Sequence, residues 1–322
     1  MTGANRLAPS QTPAPQPLGH RPRSRRRPGP HLALLGAASA WAAYTPVTSL
    51  AITHHMPVAI LLPIQVTVAA VLLWTVVVLR GYRRVLRLRR IALLAALEPT
   101  ANVGCFALAL TWLQAADGSL LLTSESVIVA LLGVLVLHER LRPAAWIGLM
   151  LSLPGLWLLS GASTGLHLSP GVLAAFAATT ASALYSTATA WVGRTSSPDV
   201  ITFTAWQFGF GAIWVTTIAT GAIIIKPGTI TVTASHLAPS TWIAAAAGGL
   251  LLAAPSLAYN YAIRHVPIAE AGITLNLIPV LGAAIGVIWL GDVLTVHALV
   301  GGAITLVAIF TIQARHTDGA PT

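Results

Sequence analysis

Long apolar runs, several of them near 20 residues, constrain this sequence more than any other feature. A helix rises about 1.5 Å per residue, so such a run spans the roughly 30 Å hydrocarbon core of a bilayer. The chain has 56% hydrophobic but only 8% charged residues, whereas a soluble protein carries about a quarter charged residues. A single soluble core cannot bury so many runs. The sequence therefore predicts an all-α polytopic membrane protein.

Ten transmembrane helices are predicted from these runs. Their approximate edges are 32–52, 57–79, 91–113, 118–137, 142–161, 170–192, 201–225, 241–263, 268–290 and 295–312. With the N-terminus in the cytoplasm, 17 of the 18 Lys and Arg residues fall on the inner side, and only Lys226 falls outside. This is the bias that the positive-inside rule describes, so the charges support the count of ten.

The two ends of the chain are expected to lie in the cytoplasm. Residues 1–30 are rich in Pro, Gln, Ser and Arg and predict a disordered basic tail, because they cannot bury enough apolar surface to fold. Residues 313–322 form a second cytoplasmic tail. We therefore expect a multi-pass protein of the cell (plasma or inner) membrane, with Arg83 to Arg90 against anionic lipid headgroups.

The second half of the chain repeats the first. A shift of 153 residues aligns Gly118–Leu159 with Ala271–Ile312. The aligned positions include two glycine pairs and one acidic pair: Gly133/Gly286, Gly148/Gly301 and Glu139/Asp292. Each repeat, 31–161 and 170–312, holds five spans, an odd number, so the second repeat enters the membrane from the opposite side. Such inverted-topology repeats are typical of secondary transporters that alternate access around one midplane site.

The repeats resemble the drug/metabolite transporter superfamily, in its EamA-type branch. The residues that carry the resemblance are Ala115-Ala116, Leu137-His138-Glu139-Arg140-Leu141 and Gly148 in the first half, and Ile268-Ala269-Glu270, Ile278-Pro279-Val280, Leu290-Gly291-Asp292 and Gly301 in the second. The resemblance covers residues 31–312 and implies two five-helix repeats that transport a small molecule. The first repeat departs from the pattern, because Glu125 and Ser126 stand where the second has Ile278 and Pro279.

Two carboxylates within the predicted spans are the first candidates for function. A charge inside the bilayer costs several kcal/mol unless it faces a cavity or a partner. Glu98 and Glu125 each lie about seven residues inside a span, roughly 10 Å deep from opposite faces. Pro99 and Asn102 beside Glu98 indicate a kinked polar face. Either carboxylate can carry a proton or bind a cationic or amino group of a substrate; the alternative is a protonated carboxyl bonded to a neighbouring helix, without a transport role.

Neutral polar and aromatic side chains can line the same cavity. For each of them, hydrogen bonding between helices is the alternative to ligand contact. These residues are Tyr44, Gln65, Tyr185, Gln207, Tyr259, Asn260, Asn276 and Trp41.

A secondary active transporter follows as the leading hypothesis. It would move a small metabolite such as an amino acid or amphiphilic compound outward, by alternating access and with protons as a coupling ion. Its partners would be that substrate, the lipid bilayer and protons. An intramembrane transferase or protease is the alternative, but the sequence has no HExxH, GxSxG or paired-Asp motif, and no Walker A pattern for nucleotide hydrolysis.

Metals, cofactors and nucleic acid are not expected as partners. The single Cys105 allows no disulfide within one chain, and no Cys/His cluster has zinc-ligand spacing. The net charge of +10 is distributed by membrane side, so it does not form a surface that reads nucleic acid.

Overall fold

The computed structural model describes residues 28–81, 88–135, 143–159, 169–193, 199–225, 237–262, 265 and 274–313. Within those ranges all regular structure is helical, as predicted. The α-helices are α1 (Pro28–Thr53), α2 (Val58–Arg80), α3 (Leu88–Ala95), α4 (Asn102–Ala109), α5 (Ala115–Leu121), α6 (Ser124–Leu135), α7 (Pro143–Leu159), α8 (Pro170–Gly193), α9 (Val200–Ile225), α10 (Pro239–Ala262), α11 (Leu277–Ile285) and α12 (Val296–Gln313). A π-helical segment, Ala96–Ala101, joins α3 to α4, and another, Gly286–Leu290, follows α11.

Helices lie within all ten predicted spans. Among the residues described, five helical stretches are both long and apolar enough to cross a bilayer: Val58–Arg80, Leu88–Ala109, Pro170–Thr189, Val200–Ile225 and Pro239–Ala262. Leu277–Leu290 and Val296–Ala308 are shorter apolar helices. The exact count of ten crossings stays a prediction, since residues 266–273 of the ninth span lie outside the described ranges.

The surface of the bundle is apolar and several of its polar side chains are inside. Leu79, Ile225 and Ile288 expose 80%, 79% and 84% of their surface, whereas Gln65 and Gln207 expose 0% and 1%. A soluble protein rarely exposes a large continuous apolar surface. Lipid is the solvent that matches this distribution, because it satisfies apolar side chains and leaves polar groups to pair inside the bundle.

The two halves of the chain pack through several helix pairs. The helix α2 contacts α9, α5 contacts α11 and α7 contacts α12. The remaining main contacts between the halves form three matched sets. In the first set α1 contacts α10 and α8 contacts α4; in the second α1 contacts α11 and α8 contacts α6; in the third α2 contacts α10 and α9 contacts α3.

The third and fourth spans are not the continuous helices that the apolar runs predict. Glu98 leaves the helical conformation, with φ −134° and ψ 116°, just before Pro99. Proline has no N–H and its ring clashes with the preceding turn, which accounts for a break at the predicted kink. The fourth span is interrupted at Leu122 and Thr123, where turn residues separate α5 from α6. Both breaks lie next to the predicted carboxylates.

Gly249 allows α10 to lie directly against α2. A Cβ atom added at Gly249 would lie 2.7 Å from the carbonyl oxygen of Gln65 and 2.7 Å from Cβ of Val68. We expect Gly249→Ala to lower the melting temperature of the purified protein, because a methyl group forced into a packed contact costs about 1–3 kcal/mol. At Gly221 an added Cβ would meet nothing within 4 Å, so Gly221→Ala is the matched control and should not lower it. Equal melting temperatures for both variants would contradict the close approach of α2 and α10.

Candidate functional site

Glu98 lies at the break in the third span and is held from two sides. Its carboxylate accepts a hydrogen bond from Nδ2 of Asn102, four residues further along the chain. Because the backbone is not helical at Glu98, its carbonyl oxygen is free to bond elsewhere, and it accepts a hydrogen bond of 2.9 Å from Nε2 of Gln207 on α9. A side chain of the second half therefore fixes the backbone that carries the carboxylate.

Glu125 lies in the first turn of α6, directly after the interruption of the fourth span. Its Oε1 accepts a hydrogen bond of 2.8 Å from the hydroxyl of Ser182 on α8. The two flanking serines also bond outward: Ser124 donates to the Thr179 hydroxyl at 2.9 Å, and Ser126 donates to Oδ1 of Asn276 at 3.1 Å. The start of α6 is thus attached to the second half of the chain at three successive residues.

The two carboxyl groups share one environment. Their charges are close enough to interact, and the Tyr259 hydroxyl interacts with both. Both residues are partly buried in the bundle. We therefore expect these carboxylates to line a central cavity.

Two Tyr–Gln pairs occur at related places in the two halves. The Tyr44 hydroxyl on α1 donates to Oε1 of Gln65 on α2 at 2.9 Å, and the Tyr185 hydroxyl on α8 donates to Oε1 of Gln207 on α9 at 3.1 Å. Gln65 then donates to the hydroxyl of Thr48 at 3.1 Å, within its own half. Both tyrosine hydroxyls lie within electrostatic range of Glu98, so both pairs belong to the surroundings of that carboxylate.

Aromatic rings pack beside this polar cluster. The rings of Trp41 and Tyr259 lie 5.4 Å apart between centroids. Trp206 meets Trp74 edge-on at 5.0 Å and stacks on Phe210 at 5.5 Å. The indole N–H of Trp206, next in sequence to Gln207, is buried without a hydrogen-bond partner. The cluster therefore combines carboxylates with broad apolar faces.

Most of the predicted lining residues come together here. Glu98, Asn102, Glu125, Tyr44, Gln65, Gln207, Tyr259 and Trp41 belong to the cluster. Asn260 instead bonds two helices, donating at 2.9 Å to the Thr204 hydroxyl on α9. Asn276 accepts a hydrogen bond from Ser126, the residue that follows Glu125.

Sequence reasoning gave no role to Ser182, and it named Tyr185 as one of several polar residues that could line a cavity. One feature of the sequence could have singled out Tyr185 as a candidate. Tyr44 precedes Gln65 by 21 residues and Tyr185 precedes Gln207 by 22, so the Tyr–Gln pair recurs in the two repeats. Nothing comparable in the sequence indicates Ser182, because serines are common in this chain.

Asp292, which aligns with Glu139 in the repeat, acts as a cap for another helix. Its Oδ2 accepts a hydrogen bond of 2.8 Å from the backbone N–H of Ala116 at the start of α5. Beside it, the N–H of Val293 donates to Oε1 of Gln114 at 3.0 Å. These bonds join the two halves at one end of the bundle, while Glu139 lies outside the described residues.

No group of three or more His, Cys, Asp or Glu side chains that could hold a metal ion is present among the residues described. The cluster instead offers proton-exchanging carboxyls, hydroxyl and amide partners and aromatic faces. These are groups that can bind and release a solute or a proton.

A family model and several known proteins are similar to this chain. The model of the EamA-like transporter family matches residues 29–161 and 169–313. The chain is 24% identical over 255 residues to the "Probable terminal-alkyne amino-acid exporter" of Streptantibioticus cattleyicolor, covering 78% of this chain and 82% of that one. It is 26% identical over 195 residues to the "Uncharacterized transporter YdfC" of Bacillus subtilis, and that match spans 60% of each chain.

A solved structure described as "Crystal structure of protein" has a similar fold. The TM-score is 0.62 at 18% identity, and the match covers 89% of this chain and 98% of the other. At that identity the likeness shows the fold alone.

Proposed function

Because the chain belongs to the EamA-like transporter family, we propose that it is a secondary active exporter of a small metabolite. The chain is a multi-pass membrane transporter and not an enzyme, as the family implies. The observation that carries the finer proposal is the pair of partly buried carboxylates, Glu98 and Glu125, at two helix breaks that are bonded to the second half of the chain. Two carboxylates inside an apolar bundle are costly to maintain unless they serve a substrate or a coupling ion.

Alternating access is the proposed mechanism, and the packing of the two halves supports it. If the five spans of residues 31–161 are exchanged in order with those of residues 170–312, each main contact between the halves maps onto an observed contact. The α1–α10 contact becomes α8–α4, and α2–α10 becomes α9–α3, while α2–α9, α5–α11 and α7–α12 map onto themselves. An inverted pair of repeats has this symmetry, and exchanging the two repeats' conformations moves the opening from one face to the other.

Proton coupling follows from the carboxylates. A carboxyl in the cavity that meets each aqueous side in turn can take up a proton on one side and release it on the other. If substrate and proton compete for the same carboxylates, the inward proton gradient drives the substrate outward. The predicted topology places both chain ends in the cytoplasm and the Asp292–Ala116 cap at the outer face of the plasma membrane.

The name of one relative gives a first set of solutes to test. The S. cattleyicolor protein is named as a probable exporter of terminal-alkyne amino acids, so propargylglycine is a suitable first probe. The panel should add an aromatic amino acid, an aromatic amine, an organic anion and a neutral sugar, since the identity to that relative is only 24%.

Solute counterflow in proteoliposomes tests the proposal. Vesicles that contain the purified protein and a high concentration of one unlabelled probe should take up the same labelled probe transiently, above its equilibrium level. Protein-free vesicles correct for passive leak. Counterflow with at least one probe is expected, and its absence for every class of probe would contradict a transport function.

A further inference from the structure

The two halves of the chain are bonded at one end of the bundle, where the segment between α4 and α5 meets the turn that precedes α12. We propose that this contact is a latch that holds its end of the bundle closed and opens once in each transport cycle. The latch consists of Gln114, Ala116, Asp292 and Val293. The inference rests on the proposed transport function and adds to it the contact that must break when the solute leaves.

Two hydrogen bonds form the latch, and each crosses from one half of the chain to the other. Oδ2 of Asp292 accepts a bond of 2.8 Å from the backbone N–H of Ala116. Oε1 of Gln114 accepts a bond of 3.0 Å from the backbone N–H of Val293. Each half thus supplies one backbone donor and one side-chain acceptor. Together the two bonds fix how the segments lie against each other, which a single bond would not do.

Two glycines of the second half shape the backbone for this contact. Gly286 is buried, and a Cβ atom added there would lie 2.9 Å from the backbone nitrogen of Ala116 and 2.9 Å from Oδ2 of Asp292. Gly291 has a φ of 73°, a left-handed conformation that glycine adopts without steric cost. It ends the π-helical segment, and the next residue, Asp292, bonds to α5. The latch therefore depends on a close approach and on a turn.

The position of the latch is suited to opening. Gln114 and Val293 are exposed, so water can replace their hydrogen bond when the segments separate. The predicted topology places this end at the outer face, where an exporter releases its solute. The contact between α5 and α11 maps onto itself when the repeats are exchanged. Exchanging the repeats' conformations therefore moves the closed contact between these two spans to the inner end and breaks the latch.

A reversible crosslink across the latch tests the inference. The only native thiol of the chain is removed by Cys105→Ser, and Gln114→Cys/Val293→Cys is joined in proteoliposomes by a short bifunctional methanethiosulfonate. Counterflow is measured with the fastest probe of the panel above, before crosslinking, after it and after reduction. We expect the crosslink to lower the initial rate at least about 10-fold and reduction to restore it, because a motion needed in every cycle limits turnover.

Thr111→Cys/Gln114→Cys in the same background is the matched control. Both residues belong to the segment between α4 and α5, so this crosslink stays within the first half and should leave the rate within about two-fold. An equally small effect of the crosslink between positions 114 and 293 would overturn the latch. So would a reagent that joins the control pair but not the latch pair, since the two segments would then not be in contact.

Asp292→Ala and Asp292→Asn test the latch without cysteines, and they decide if the cysteine pair itself abolishes transport. Asparagine keeps an oxygen that can accept the bond from Ala116, whereas alanine removes it. Without the latch the closed state is less populated, so we expect Asp292→Ala to lower the rate about 10-fold and Asp292→Asn about three-fold or less. A wild-type rate for Asp292→Ala would overturn the latch and leave the transport function standing. Absence of counterflow by the wild-type protein with every probe would contradict the transport function, and the latch with it.

Discussion

Glu125→Gln is expected to lower the rate of counterflow by about 10- to 100-fold while the protein still folds. Glutamine keeps the size of the side chain and can still accept a bond from Ser182, but it removes the charge and the exchangeable proton. A hydrogen bond to a charged group contributes about 1.5–3 kcal/mol, and every 1.4 kcal/mol corresponds to about a factor of ten. Glu98→Gln should lower the rate to a similar degree, because the proposed mechanism uses both carboxyls.

Asp117→Asn is the matched control for these carboxylate variants. Asp117 is also partly buried, but its acidic neighbour is Asp292 at the end of the bundle, away from the central cluster. Its counterflow should stay within about two-fold of wild type, since an exposed or peripheral substitution usually changes energies by about 0.5 kcal/mol or less. Wild-type rates for Glu98→Gln and Glu125→Gln would remove the carboxylates from the mechanism.

Gln207→Leu is expected to have the second largest effect. This change leaves the Glu98 carbonyl and the Tyr185 hydroxyl without their partner inside the bundle, and each unsatisfied buried group costs about 1–3 kcal/mol. We expect a lower melting temperature and a rate of counterflow reduced at least about 10-fold. If Gln207 acts by positioning Glu98, then Glu98→Gln/Gln207→Leu should transport no worse than Glu98→Gln alone.

Trp214→Phe is the matched control for Gln207→Leu, because it removes a different hydrogen bond between α9 and the third span. The indole of Trp214 on α9 donates at 3.2 Å to the carbonyl of Ala92 on α3, in the same span as Glu98 but outside the cluster. Its removal should leave transport close to wild type. Additive losses in the Glu98→Gln/Gln207→Leu protein would contradict a positioning role for Gln207.

Features fixed by local chemistry could be predicted from the sequence. Pro99 after Glu98 indicated a kink, and the structure has a break there. The low share of charged residues indicated helices in lipid, and the exposed apolar side chains match this. The depth of Glu98 and Glu125 in the bilayer stays a prediction from counting residues along their spans, because the rise of a helix is constant.

Pairings between helices could not be predicted in the same way. An amphipathic helix shows in its sequence which face turns inward, but the helices here are apolar on most faces. The rotation that brings Ser182 to Glu125, or Gln207 to the Glu98 carbonyl, therefore depends on packing. No proline or glycine lies at Leu122 and Thr123, so the sequence did not indicate a break there. The role of Asp292 as a cap depends on the approach of α5.

Uptake driven by an imposed pH gradient tests the central claim most directly. The probe with the fastest counterflow is presented to proteoliposomes with an acidic interior, with either wild-type protein or Glu98→Gln/Glu125→Gln, so that passive trapping is equal in both. The account predicts that vesicles with wild-type protein accumulate more probe than vesicles with the variant. An ionophore that collapses the pH gradient should remove this difference in accumulation. Equal accumulation in the two sets of vesicles would contradict it.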